Sequence, residues 1–242
     1  NVNNVLLSSY IKGFDTVKSF LNANDAVHVY EGDQFPDHKP FVGNESLAVY
    51  LKDILLEIDS SHVRSDVEIA DCQGSDSSNP LHLAMIQEYL LLTHQMVYVI
   101  SSRTGLRRAD IRFLSMIKKM GILENIIFVI NCDFSEHEST DDLKNLVDRI
   151  REELSMLKPD PQIYTFSALF NLFSANAETL SDKEQLRMKH WQADEAFVEL
   201  SNRETNRFES VFYDDLARKR NALLLQNHIE RLGVVLTGFG DW

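Results

Sequence analysis

MVYVISSRTGLRRADIRFLSMIKKMGILENIIFVIN, Met96 to Asn131, is the stretch whose reading decides the fold. It opens on a nearly continuous apolar run, MVYVI, that ends in Ser101 and Ser102. Asp110 to Met120 then spaces its apolar residues as a helix does. Gly121 supplies the stop, because glycine takes left-handed backbone without a Cβ clash. A second unbroken run, IIFVI, ends at Asn131. Strands without polar alternation are buried on both faces, and such strands belong to parallel sheets covered by helices. The stretch therefore predicts strand, helix, strand in an α/β domain.

Working outward, the same alternation continues. Thr140 to Leu157 is a charged amphipathic helix, closed by Pro159 and Pro161. QIYTFSA, Gln162 to Ala168, is a further strand, followed by a short helix over Leu169 to Phe173. Upstream, VEIADCQGSD (Val67 to Asp76) reads as a strand over Val67 to Ala70 that stops at Asp71. Pro80 is suited to open a helix, where its missing N–H costs nothing. Asn44 is a helix N-cap ahead of Leu47, Tyr50, Leu51, Ile54, Leu55 and Ile58. Ala26 to Tyr30 reads as a short strand, Asp33 to Pro40 as a loop, and Phe14 to Leu21 as helical. After Leu180 no strand pattern appears up to Gly233. Phe208, Phe212 and Leu216 form one stripe; Leu225, Ile229, Leu232 and Leu236 continue it. Long helices with one apolar face are expected there.

An open α/β sheet binds its ligand at the carboxyl ends of its strands. The residues at those ends are Asp71 with Gly74, Ser101 with Ser102, Asn131 with Asp133, and Ser167. Each reads in two ways. Asp71 is a turn residue, or a carboxylate offered to a metal ion while the Gly74 amide meets a phosphate. Asn131 and Asp133 contact a base or cap a strand. Ser167 fits a structural role as well as a binding one.

Composition narrows the classes. Hydrophobic residues make up 44% of the 242, enough for a proper core. A formal net charge of -13 disfavours nucleic acid and anionic membrane as partners of the whole surface. The two cysteines, Cys72 and Cys132, form no CxxC pair, so neither a structural zinc nor a disulfide framework is expected, and a reducing compartment is the natural reading. No apolar run reaches the roughly 18 residues of a membrane span. His82 and His94 read as solvated or capping. Asp37-His38 and Glu136-His137-Glu138 place imidazole beside carboxylate, but neighbours on one loop rarely converge on a metal. No G-x-S-x-G or H-E-x-x-H motif is present. The ends, Asn-Val-Asn-Asn and Gly-Asp-Trp, suggest a piece of a larger protein.

Strand then Asp-x-x-Gly, strand then Ser, strand then Asn-x-Asp, and strand then Ser-Ala follow one another in order. From DCQGSDSSNP through VYVISS and the Leu106-x-x-x-Asp110 helix start to NIIFVINCDFSE, the wording resembles a dynamin-like large GTPase, with a bacterial dynamin-like protein as the first expectation within the family. The likeness covers roughly Val67 to Phe173. It implies a P-loop GTPase-like α/β fold: a mostly parallel sheet flanked by helices, truncated at its N-terminal side. Residues 1–178 would be a partial GTPase domain without its phosphate loop, and 179–242 a helical segment leading into a neck. The function implied is GTP binding and hydrolysis in a membrane-remodelling protein. Asp71 and Gly74 would be catalytic, Asp71 holding Mg²⁺ through a water. Asn131, Asp133, Ser167 and Ala168 would bind GTP at its guanine. Partners would be guanine nucleotide, further copies through the GTPase domain and neck, and a membrane reached by a region outside this chain. A cytoplasmic protein, peripheral at a membrane, is implied, with no nucleic acid.

Two departures from that pattern stand out. The usual base-reading motif is Asn/Thr-Lys-x-Asp, whereas this chain has Asn131-Cys132-Asp133-Phe134. No Gly-Lys pair occurs anywhere, so G-x-x-x-x-G-K-[ST] is missing; Gly43 and Lys52 are too far apart to replace it. The alternative reading is a nucleotide-free or hydrolysis-deficient interaction module used in assembly.

Overall fold

The computed structural model describes residues 2–19, 21, 27–58, 67–72, 86, 89–90 and 93–214, and the isolated positions 222, 225, 228, 229, 232, 233 and 236. The chain divides into two compact units, Asn1–Ser61 and His62–Trp242.

The first unit is helical. It holds α1 (Val2–Val17), a 3-10 helix at Gly32–His38, α2 (Lys39–Gly43) and α3 (Glu45–Ala48). Asn44 caps α3 as expected, its Oδ1 accepting from the Ser46 amide at 2.9 Å. The α1–α3 contact is main chain against main chain at Gly13. A Cβ there would sit 1.9 Å from the Ser46 carbonyl oxygen. Beside it Tyr50 Oη donates to the Tyr10 carbonyl at 2.5 Å, and the two rings meet edge-on at 5.0 Å. Three expectations are corrected here. The helix opened by Asn44 ends at Ala48 instead of continuing to Ile58; residues 53–58 carry no regular structure, and Ile54, Leu55, Leu56 and Ile58 are exposed. A short helix is marginal without a surface to bury its apolar face, and these side chains have none. The strand over 26–30 is absent from the described residues 27–30, where Val27 and Val29 face solvent. The expected loop at 33–40 is the 3-10 helix and the start of α2.

The second unit contains the predicted sheet. Strands β1 (Met96–Ser101), β2 (Ile126–Asn131) and β3 (Ile163–Phe166) run parallel in the order β1-β2-β3. Met96 pairs with Ile126 and Ser101 with Asn131; Asn131 also pairs with Phe166. The register thus brings the three polar exits to one edge. Helices α4 (Arg108–Lys119), α5 (Thr140–Ser155), α6 (Ala168–Ala175), α7 (Asp182–Gln192) and α8 (Glu195–Asp214) belong to the same unit.

Strand side chains alternate between two cores. Ile126, Phe128 and Ile130 face Leu114 and Ile117 of α4 and Ile150 and Leu154 of α5. Ile127, Val129, Tyr164 and Phe166 face the other way, against Phe208 and Val211 of α8. Burial on both faces explains the continuous runs of β2 and β3; β1 departs from this, since Val99 on its second face is 59% exposed. A third core lies beyond the strand exits, built from Cys132, Phe134, Phe170, Phe173, Trp191 and Phe197. So α8 belongs to the same compact unit as the sheet; Phe208 of the stripe packs on β3, Phe212 stacks on Phe208, and Leu216 lies outside the described residues. Leu225, Ile229, Leu232 and Leu236 are helical and exposed.

Asp110, in the first turn of α4, is buried but satisfied. It accepts from Tyr98 Oη at 2.8 Å, the Arg107 amide at 2.8 Å and Arg107 Nε at 3.0 Å. The strand expected over 67–70 does not form: residues 67–72 are without secondary structure, and Ile69 is 67% exposed. Four residues with Glu68 between the apolar ones are too little to hold a strand that no described neighbour pairs with. Among the described residues no helix is long and apolar enough to cross a membrane.

Candidate functional site

The exits of β1, β2 and β3 bring Ser101 and Ser102, Asn131 to Asp133, and Ser167 with Ala168 to one edge of the sheet. Asn131 and Ala168, nominated from separate motifs, meet directly: the Ala168 amide donates to Asn131 Oδ1 at 3.0 Å. The loops after β2 and β3 are therefore tied together by a motif side chain.

The remaining motif residues are engaged within the chain. Asp133 caps the 3-10 helix Phe134–Glu136, with Oδ1 accepting from the Ser135 amide at 3.0 Å. Its Oδ2 pairs with Arg187 of α7 at 2.8 Å. Arg187 lies 4.5 Å over the Trp191 ring, whose Nε1–H donates to Ser135 Oγ at 3.2 Å. Ser167 is buried. Its amide donates to Ser201 Oγ at 3.0 Å, and its own Oγ caps α6 by accepting from the Phe170 amide at 3.2 Å. Cys132, standing where the usual motif has a stacking lysine, turns into the third core. Burial pushes its thiol up to about 12, with the negative charge of Asp133 adding to the effect.

Asp71 is exposed on the segment 67–72, not at a strand exit, because the strand that would have carried it does not form. Gly74 lies outside the described residues. Among the described residues no three His, Cys, Asp or Glu side chains converge as metal ligands. The described part of the chain does not assemble a Mg²⁺ shell around Asp71, and no step is assigned to that ion.

At the exit of β1 lies an arrangement not anticipated from the sequence. Ser102 Oγ and His137 Nε2 are 2.9 Å apart, and His137 Nδ1 is 3.2 Å from Asp142 Oδ2. Ser139 explains the placement of Asp142. As N-cap of α5 it accepts from the Asp142 amide at 3.1 Å, which holds that first-turn carboxylate beside the loop carrying His137. The Ser-x-x-Asp spacing of 139–142 was the legible signal, since it fixes a helix start and so the place of its third residue. Arg187, a mid-helix partner 54 residues from Asp133, left no such signal.

Comparison with protein-family models, with curated proteins and with solved structures returned no match.

Proposed function

We propose that this chain carries the base-binding side of a guanine-nucleotide site of the dynamin-like GTPase kind, formed by the loops after β2 and β3. The observation that supports the reading is the Asn131–Ala168 hydrogen bond, because a base held by both motifs requires their loops side by side. Asn131 and Ala168 would face the guanine edge, the Ala168 amide by exchanging its bond to Asn131 for one to the base, and the Ser167 amide would join only by leaving Ser201. Asp133 would join only by leaving Arg187. GTP hydrolysis with Mg²⁺, membrane remodelling and self-association through the GTPase domain and neck belong to the same proposal, with Asp71 and Gly74 on its phosphate side.

The Asp133–Arg187 pair and the inward Cys132 favour the second reading, an assembly module that has given up nucleotide. One titration separates them. The chain has no G-x-x-x-x-G-K-[ST], so any affinity rests on the base, and guanosine should compete with fluorescent GTP about as well as GTP itself does. Arg187→Ala frees Asp133 and should sharpen guanosine over adenosine; Asn131→Ala should abolish binding. No binding of guanosine or GTP by either the parent chain or Arg187→Ala would sink the nucleotide reading and leave the module.

A further inference from the structure

We infer that Ser102, His137 and Asp142 form a nucleophile, a general base and its positioning carboxylate, able to transfer an acyl group from a small ester that bears a negative charge. The inference uses none of the base-site residues and stands apart from the nucleotide reading.

The hydrogen-bond chain fixes the chemistry. A carboxylate only accepts, so the contact with Asp142 puts the hydrogen of a neutral His137 on Nδ1. Nε2 is then left with its lone pair, and it faces Ser102 Oγ at 2.9 Å. That is the tautomer a general base needs, and the reverse one would be idle. The His137 side chain is 6% exposed, which holds the ring in place, while Asp142 remains at the surface. All three line an open cleft of about 530 Å³ together with Arg103, Glu136 and Arg149.

The cleft also selects. Arg103 is drawn to Glu136 at 3.7 Å, whereas Arg149 makes no ion pair among the described residues. A guanidinium that lines the same cleft as the nucleophile, with no ion pair among the described residues, suits an anionic substrate. The backbone amides that follow β1 are already engaged. The Ser102 amide donates to the Asn131 carbonyl, Arg103 to Ser101 Oγ, and Thr104 and Gly105 to the Ser101 carbonyl. Arg149 and Asn145, which also lines the cleft, are the side-chain donors for the oxyanion. Oxyanion donors are worth about 10²–10³-fold in rate, so slow turnover is expected.

In the reaction, Ser102 Oγ attacks the ester carbonyl as its proton passes to His137 Nε2. The bond to the leaving oxygen breaks, and that oxygen takes the proton from Nε2. Water then attacks the acyl–Oγ ester, giving its proton to Nε2. The carboxylic acid departs, and Ser102 regains its hydrogen from His137.

The whole chain is treated with a fluorophosphonate, which forms an Oγ–P bond to an activated serine and loses fluoride. Peptide mass mapping should place the adduct on Ser102. His137→Gln, which can still hydrogen-bond but is not basic, should slow labelling at least tenfold at unchanged circular dichroism. Para-nitrophenyl hemisuccinate should be cleaved in preference to para-nitrophenyl acetate, and Arg149→Ala should erase the preference. Ser102→Ala should lose the adduct; if it does not fold, Ser102→Cys tests the same position by iodoacetamide alkylation mapped to residue 102, which His137→Gln should again slow. Absence of a Ser102 adduct on the folded chain, or equal labelling rates in the parent and His137→Gln, would overturn the inference and reduce the three residues to a hydrogen-bonded staple.

Discussion

The two compact units treat apolar residues differently. In His62–Trp242 three strands provide a floor, and helices cover both sides of β2 and β3, so Leu114, Ile117, Phe128, Ile130 and Leu154 are almost completely hidden. In Asn1–Ser61 no described strand exists, and Val17 and Leu47 are the buried large apolar side chains among the described residues. Val5, Leu7, Ile11 and Phe14 of α1 face solvent. Helical spacing is present in both units. It produces a core only where another surface lies within reach, which is why tertiary packing, not propensity, sustains most helices.

The sharpest way to break the contrast is to damage the larger unit. Trp191 is 2% exposed and touches Phe134, Phe170 and Phe173. Trp191→Ala should cost about 3–5 kcal/mol in urea unfolding followed by circular dichroism. Leu186→Ala on the same helix, where the side chain is exposed, should stay within about 0.5 kcal/mol. Equal losses would mean that the third core is not a core.

Gly13→Ala probes the smaller unit. Alanine would gain about 1 kcal/mol of helix propensity. The new Cβ meets a carbonyl, not a movable side chain, and such overpacking costs about 1–3 kcal/mol. Repulsion should win. Amide exchange should quicken at Leu47 and Ala48 while Ile126–Ile130 stays protected. Unchanged exchange at α3 would show that the close approach does not matter.

A smaller effect is expected at the strand exits. Asp133 and Arg187 are both partly exposed, so Arg187→Ala should cost less than about 1 kcal/mol, even while it changes what the Asp133 carboxylate can reach. A loss of several kcal/mol would make the pair a structural strut.

A further effect is confined to alkali. The folded chain keeps the Cys132 thiol protonated up to about 12, against 9.0 for an ordinary thiol. Below pH 9 both states hold the proton, and the contribution of Cys132 is complete. As pH rises further the unfolded chain ionises first, so stability falls until the buried thiol also ionises. Cys132→Ala should flatten the stability profile between pH 9 and 12. In the native parent, a maleimide at pH 7.5 should label exposed Cys72 and spare Cys132; labelling of both would contradict the buried placement.

What the sequence made legible follows from the same contrast. IIFVIN and IYTF were readable as strands because each is a run too continuous for a surface, and MVYVIS was readable by the same continuity although its Val99 proves exposed. Asn131 and Ala168 were readable as neighbours because parallel strands align their exits. VEIA was misread because a short alternating run carries no information about whether a partner strand lies beside it. The helix after Asn44 was overextended for a related reason: spacing over Leu47 to Ile58 describes a face, and says nothing about what that face would meet. Arg187 and His137 could not be foreseen, since their partners are set by how α7 and the β2–α5 loop pack, not by local pattern.

Gly13 has a consequence for how the first unit tolerates change. Its α1–α3 contact is made by main-chain atoms, and most side chains of α1 lie in solvent. A contact of that kind is nearly blind to side-chain identity. A saturation scan across α1 should therefore give a flat landscape of near-neutral substitutions, interrupted at Gly13 by a single position where every residue other than glycine fails, and more shallowly at Tyr10 and Val17.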